Sequence, residues 1–321
     1  MMIFVLIQDT GIRGASLILI YMSKILVLGS TGMLGRMVSE YFSQFSEFVL
    51  FQTVRTIQNN KLANNHHKFD ALEDSLELLI EKIKPDYLIN CIGIIKPEIN
   101  ERNQSSINRA ININTYLPIK LSKSAKKHNF KYVQIGTDCV FSGLVGNYQE
   151  TSFQDAADVY GKTKIGGEIF DSSKYLLRSS IVGPEPGQGK SLLNWFLSQN
   201  QQTVNGFVDH KWNGITTLNF AKIVHGMIKS SKFINNLQHI TPQDEVSKYD
   251  LLLYFNKYFQ SNVTIESVDS NNPVNRTLAT INPELNQQLW NMAGYRSVPT
   301  IEENIKELAE SNVTKSILNS I

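Results

Sequence analysis

The chain has 321 residues, 42% of them hydrophobic and 19% charged, a balance that builds an apolar core and excludes a disordered chain. A formal net charge of +2 gives no electrostatic case for nucleic acid or an anionic membrane as partner. The basic stretch KSAKKH at 123–128 reads as the solvated face of a helix. Two cysteines, Cys91 and Cys139, lie in apolar runs without metal-site or disulfide-framework spacing. Two buried thiols in a reducing, cytoplasmic compartment are expected, and no metal.

In chain order, residues 1–21 come first: two apolar pieces broken by Gln8, Asp9, Gly11 and Arg13. Neither is long enough to span a membrane, and no basic segment precedes the first, which argues against a signal peptide. Met22 stands directly before SKILVLGSTGMLG, so the folded domain is expected to begin there, with 1–21 an upstream extension, disordered or an alternative start. KILVL at 24–28 ends in glycines, as a buried parallel strand entering a turn does. MLGRMVSEYFSQF then has helical spacing, EFVLFQTVR reads as a strand, and SLELLIEKIKPD reads as an amphipathic helix stopped near Pro85. YLINCIG is another strand, a helical stretch runs from about 105 to 128, and KYVQIGT is a strand. A helix starts near 159, and KYLLRSSIVG closes the series as a strand. Strand and helix alternate throughout, which calls for an α/β, Rossmann-type doubly wound parallel sheet over residues 22–184. After the PEPGQG loop the pattern becomes short, mixed and rich in Asn and Gln. A smaller mixed α/β substrate lobe is expected over 185–321, with the chain near 210–230 packing back on the first domain.

Gly29, Gly32 and Gly35 form G-x-x-G-x-x-G between the first strand and the first helix. Such a turn brings backbone close to a pyrophosphate, seated at a helix N-terminus whose free N–H groups favour anions. Thr31, Met33 and Leu34 belong to the same turn. An acid at the end of the second strand would select NAD, but the strand ends FQTVRT. Arg55 there either pairs with a 2′-phosphate, favouring NADPH with NADH possible, or is a solvated loop residue; Arg36 could assist. Asp70, followed by Ala71 and Leu72, is either a helix-cap carboxylate or a partner of the adenine amino group.

Tyr160 and Lys164, at i and i+4, share one helix face. An ammonium beside a phenol favours phenolate and lowers its pKa. A tyrosine so tuned can pass a proton to a carbonyl oxygen as a hydride arrives. Thr137, at the end of a predicted strand, could hold that oxygen.

With these residues in view, the sequence resembles the extended short-chain dehydrogenase/reductases, and within them the dTDP-4-dehydrorhamnose reductase group. KILVLGSTGMLG, DYLINCIG, AININTYLP, GTDCVFSG, YGKTKIGGE, LRSSIVGP and WNGITTLNFAK carry the resemblance over roughly residues 24–315. It implies a catalytic set of Thr137, Tyr160 and Lys164, with Asn114 steadying the lysine through water. It implies that Cys91, Ile92 and Gly93 line the cofactor, that Gly183 lies beside the nicotinamide, and that Cys139 and Val140 face substrate. NCIGIIKPEIN replaces the usual N-A-A-A, and Cys139 replaces an aromatic residue; both changes fall where the sugar should sit. Trp212 is either a core aromatic or a sugar or base platform, and Arg276 either a phosphate ligand or a surface charge. The implied activity is NADPH-dependent reduction of the C4 ketone of a nucleotide-diphosphate-linked 4-keto-6-deoxyhexose, a dTDP-sugar or a UDP-2-acetamido-2,6-dideoxy-4-hexulose, by a chain that can form a homodimer. The alternatives are a regulatory subunit like the methionine adenosyltransferase beta subunit, which shares the glycine turn, or a combined epimerase and reductase.

Overall fold

The computed structural model describes residues 2–7, 16–56, 64–168, 173–187, 190–234 and 236–320. Seven strands form the central sheet: β1 (Ser23–Leu28), β2 (Phe48–Val54), β3 (His66–Lys68), β4 (Tyr87–Asn90), β5 (Lys131–Gly136), β6 (Lys174–Arg178) and β7 (Leu237–His239). Their order is β3-β2-β1-β4-β5-β6-β7, and neighbours run parallel. The order reverses between β1 and β4, and a crevice opens at the carboxyl ends of strands at such a switch point.

Alternation along β1 feeds two cores. Ile25 and Val27 pack with Met37 and Phe42 of α1 (Met33–Phe42) and with Ile223 and Val224 of a later helix. Leu26 and Leu28 pack on the other face with Leu79 and Ile80 of α2 (Leu76–Ile83) and Leu121 of α4 (Leu117–His128). Ser75 caps α2, and Lys84 ends it at a left-handed φ of 51°, just before Pro85.

The stretch expected as one helix near 105–128 is three pieces: α3 (Gln104–Ala110), a π-helical turn (Ile111–Tyr116) and α4. Pro118 has no N–H to give the Asn114 carbonyl four residues back, so the ladder changes register there. α5 (Val159–Gly166) follows near the expected position. KYLLRSSIVG, expected as one strand, divides into β6 and Ile181–Val182, and the latter pairs instead with Ile215–Thr216.

Beyond residue 185 the chain contains α6 (Leu192–Ser198), α7 (Thr217–Ser230), α8 (Lys248–Tyr258), α9 (Pro283–Met292), α10 (Ile301–Glu310) and α11 (Asn312–Asn319). Thr203–Phe207 pairs with Thr264–Val268, and His210–Trp212 lies between Val246–Ser247 and Val274–Asn275. This part is not a separate block. α7 and α11 pack on α1, β7 joins the central sheet beside β6, and one apolar cluster runs from Ile25 through Ile223 and Trp290 to Ile317. Trp290 is 0% exposed and its indole donates to the Thr241 carbonyl at 2.9 Å. Trp290→Ala should therefore lower stability by about 3–5 kcal/mol, read as an earlier midpoint in urea unfolding.

Within residues 1–21, expected as an upstream extension, disordered or an alternative start, Met2–Ile7 pairs antiparallel with Ser16–Tyr21. Cys91 and Cys139 are both free. No helix among the described residues is long and apolar enough to cross a membrane.

Candidate active site

The glycine turn leaves β1 and opens α1 at the switch point. Gly29 has φ +77°, and a Cβ on it would lie 2.8 Å from Ile92 Cγ1. A Cβ on Gly35 would lie 2.0 Å from the Gly29 carbonyl oxygen. Gly29 and Ser30 are tied to β2: the Gly29 N–H donates to Thr53 Oγ1 at 2.9 Å, and the Ser30 hydroxyl to the Thr53 carbonyl at 2.9 Å. Gly32 is the N-cap of α1 and provides no side-chain cap, so the first-turn N–H groups stay available to an anion. Thr31 and Gly32 are exposed, Met33 is half-buried, and Leu34 points into the core, so Leu34 offers a ligand only backbone. This turn fits a dinucleotide pyrophosphate: only glycine allows its close backbone packing at Gly29 and Gly35, and no side chain among the described residues caps the helix end.

Arg55 is exposed just past β2. Arg36 pairs with Glu40 at 2.8 Å on α1. The Asp70 Oδ1 accepts the Leu72 N–H at 2.9 Å, so part of that carboxylate is spent on its own turn. Ala71 is half-buried and Leu72 exposed.

Segment 91–93 links the glycine turn to the Lys164 side chain of α5. Ile92 touches the Gly29 position, and a Cβ on Gly93 would lie 3.7 Å from Asn114 Oδ1 and 4.0 Å from Lys164 Nζ. Asn114 is 3% exposed and clamps Ile94, accepting its N–H at 2.9 Å and donating to its carbonyl at 3.0 Å. It also donates to Thr163 Oγ1 of α5 at 3.2 Å. Asn114→Leu would leave the Ile94 N–H and carbonyl unpaired. A loss of about 2–3 kcal/mol is expected, measurable by denaturant unfolding.

Thr137 directly follows β5, and its hydroxyl accepts the Cys139 N–H at 3.2 Å. Asp138–Val140 makes one tight turn, against which α5 starts so closely that a Cβ on Gly161 would meet the Cys139 carbonyl at 2.6 Å. Asp158 caps α5 through the Gly161 N–H at 2.7 Å and pairs with Lys96 at 2.7 Å. Lys96, in the departure from the family's usual pattern, thus braces the start of α5. At the other end of α5, Glu168 forms a buried ion pair with Arg178, and Arg178 Nη1 donates to His239 Nε2 at 2.6 Å. The His239 Nδ1–H donates to the Ala279 carbonyl at 2.7 Å, so the ring is neutral. Burial, and then the Arg178 charge, push its pKa down to about 4.

Burial is the largest influence on Tyr160 and raises its pKa; its hydrogen bond with Thr137 acts in the opposite direction. The expectation that Lys164 tunes the phenol downward is therefore corrected: desolvation dominates and holds the phenol protonated. Burial also lowers the pKa of Lys164, against the pull of Glu168 and Cys139. Burial raises Cys139 to about 12, so this thiol stays protonated at neutral pH.

The structure thus brings Thr137, Cys139, Tyr160, Lys164, Asn114 and the 91–93 segment together beside the glycine turn. It does not bring all the substrate-side residues into the open. The Val140 side chain is 0% exposed, packed with Phe141, Tyr148 and Leu278. Trp212 is 4% exposed, with its indole N–H on Ser180 Oγ at 2.9 Å and the Lys248 ammonium 5.4 Å from the ring centroid. These contacts favour its reading as a packed aromatic. A Cβ on Gly183 would lie 2.0 Å from Thr217 Oγ1, so that glycine allows close approach of α7. Arg276 is half-buried and donates to the Phe141 and Ser142 carbonyls at 2.9 and 3.2 Å. Glu77, Glu81 and His128 on α2 and α4 are close enough to hold a cation, but Glu77 is already occupied by Lys127 and His128 at 2.6 and 2.9 Å.

The chain is 30% identical over 149 residues to methionine adenosyltransferase 2 subunit beta of Xenopus laevis, a match covering 45% of this chain and 41% of that protein. It is 25% identical over 244 residues to dTDP-4-dehydrorhamnose reductase of Aggregatibacter actinomycetemcomitans, covering 72% of this chain and 78% of that protein. The fold superposes on the crystal structure of dTDP-4-dehydrorhamnose reductase from Bacillus anthracis in complex with NADP, with a TM-score of 0.71 and 16% identity over 90% of this chain and 99% of that one. The RmlD substrate binding domain model matches residues 22–313, which takes in the glycine turn, the Tyr160–Lys164 helix and the mixed lobe alike; the chain belongs to that family.

Proposed function

We propose that this chain reduces the C4 ketone of a nucleotide-linked 4-keto-6-deoxyhexose at the expense of NADPH. The observation that carries this reading is the hydrogen bond of Tyr160 with Thr137 on the helix whose Lys164 lies beside Gly93, with Ile92 of the same segment against the Gly29 turn. NADPH, when bound, supplies the hydride for the sugar C4. The glycine turn and the free N–H groups of α1 hold its pyrophosphate, and Arg55, exposed where an acid would select NAD, favours the 2′-phosphate. Tyr160 gives the proton to the C4 oxygen, and its raised pKa keeps that proton in place beforehand. Thr137 orients the same oxygen. Lys164 lies beside Gly93, where it can bind the ribose and steady the phenol. Cys139, where the family has an aromatic residue, leaves more room at the sugar and suits a UDP-linked 2-acetamido sugar as well as a dTDP-sugar. A cytoplasmic setting belongs to this reading, because both cysteines are free.

The test follows NADPH consumption by its near-ultraviolet absorbance. Freshly prepared dTDP- and UDP-linked 4-keto-6-deoxyhexoses would be offered, with and without a 2-acetamido group. Turnover of one of them is the expected result and identifies the nucleotide. NADPH binding without turnover of any would overturn the reading and favour a binding role, for which the similarity to a methionine adenosyltransferase subunit is the motive.

A further inference from the structure

α5 ends at a cluster of buried charges that the proposed chemistry does not use. Glu168, four residues after Lys164, has a side chain 5% exposed, and that of its ion-pair partner Arg178 on β6 is 1% exposed. Gln154 Nε2 also donates to the Glu168 carboxylate. Lys174, at the other end of β6, is buried too and donates from Nζ to the Gly167 carbonyl at 2.6 Å. Lys164 and Glu168 line one small cavity of about 10 Å³ together with Asn114, Gln134 and Gly136. Gly93 also borders Lys164: a Cβ on it would lie 4.0 Å from Nζ. Arg178 crosses the end of β5, since a Cβ on Gly136, the residue before Thr137, would lie 3.1 Å from the Arg178 Cβ. The pair therefore ties the end of the helix that carries Lys164 to the strand that leads into Thr137. A buried ion pair is often no more stabilising than a well-packed apolar pair of the same volume. What an apolar pair would lack is a fixed negative charge one helical turn from the ammonium.

We propose that Glu168 is a positioning residue for Lys164: held by Arg178, it keeps the Lys164 side chain charged beside Gly93. This deepens the reductase reading above and rests on it. Burial disfavours the ammonium form of Lys164, and Glu168 is the strongest group opposing burial, ahead of Cys139. The other groups packed around Lys164 do not replace that control. Asn114 and Thr115 of the π-turn are uncharged. Burial raises Cys91, Cys139, Asp138 and the Tyr160 phenol, which keeps their protons on. On β6, Arg178 is spent on Glu168 and His239, and burial brings Lys174 down to about 8, with Glu168 opposing. An ammonium exists below its pKa. Without Glu168, Lys164 should lose its proton at a lower pH, and activity that needs the charge should fall off earlier as the pH rises.

The experiment follows the ε-carbon resonance of Lys164 by NMR in the full chain with labelled lysine, from about pH 7 to about pH 11. The signal is assigned by its loss in Lys164→Met. Glu168→Gln should move the Lys164 titration down by roughly one unit, and the basic limb of the kcat profile should move down with it. The second variant replaces both partners, Glu168→Met with Arg178→Met. It leaves no unpaired charge, so its unfolding midpoint should return toward that of the wild type, while Lys164 still titrates low. Wild-type titration of Lys164 in either variant would overturn the proposal and leave the pair a structural clamp only. Lys174→Met removes a neighbouring cation and should not lower the Lys164 titration; a fall as large as that in Glu168→Gln would overturn the assignment to Glu168. If Glu168→Gln does not fold, the double variant decides by itself. The NMR arm needs no sugar. Wild-type protein that turns over none of the sugars, with Lys164 shifting as expected, would overturn the reductase reading and still support the hold of Glu168 on Lys164.

Discussion

Tyr160→Phe is expected to lower kcat by about 10²–10⁴-fold while leaving NADPH affinity near that of the wild type. The ring is half-buried on α5 and would stay there, since its packing does not depend on the hydroxyl. What disappears is the one proton that burial keeps on the phenol and that Thr137 helps to release. Effects on binding and on chemistry should therefore separate. NADPH titration followed by fluorescence should give the same Kd for both proteins, and single-turnover kinetics should show the loss in the chemical step. A variant that kept more than half of wild-type turnover would remove Tyr160 from the proton-donor role.

The second large effect concerns the turn. Gly35→Ala would place a Cβ 2.0 Å from the Gly29 carbonyl oxygen and 2.7 Å from its carbon. Both obstacles are backbone, and Gly29 is itself fixed by Thr53 at 2.9 Å and by Ile92. No side chain can rotate away to relieve the clash, so the helix must back off the strand. A stability loss of about 3 kcal/mol or more is expected, together with a loss of NADPH binding. Gly32→Ala is the control. Its φ is −83° and its Cβ would have nothing nearer than 3.9 Å, so stability should hold. NADPH affinity should still fall if a pyrophosphate lies against that N-cap. Gly35→Ala melting and binding like the wild type would refute the tight turn.

Much of the first half of the molecule could be read from local pattern. The apolar run at 25–28 has both faces buried in the parallel sheet, Ser75 and Pro85 bracket α2, and the i, i+4 spacing of Tyr160 and Lys164 survives as one face of α5. Each of these depends on residues near one another in sequence. The π-turn at 111–116 was missed because the helical period of 105–128 conceals a single missing donor at Pro118. The resemblance put Val140 at the substrate with Cys139, but the tight turn after Thr137 leaves Asp138 and Cys139 half-buried and turns Val140 into the core.

By itself, the sequence determined the alternating α/β order, the glycine turn and the shared helix face of Tyr160 and Lys164, because strands, turns and helix faces follow from local periodicity and steric freedom. Only the tertiary structure decided the rest. It put β7 at the edge of the sheet across 58 intervening residues from β6, merged the two lobes into one core, and reversed the expected tuning of Tyr160 through burial. Desolvation and charge proximity depend on which distant segments meet, and no local pattern in the chain records that.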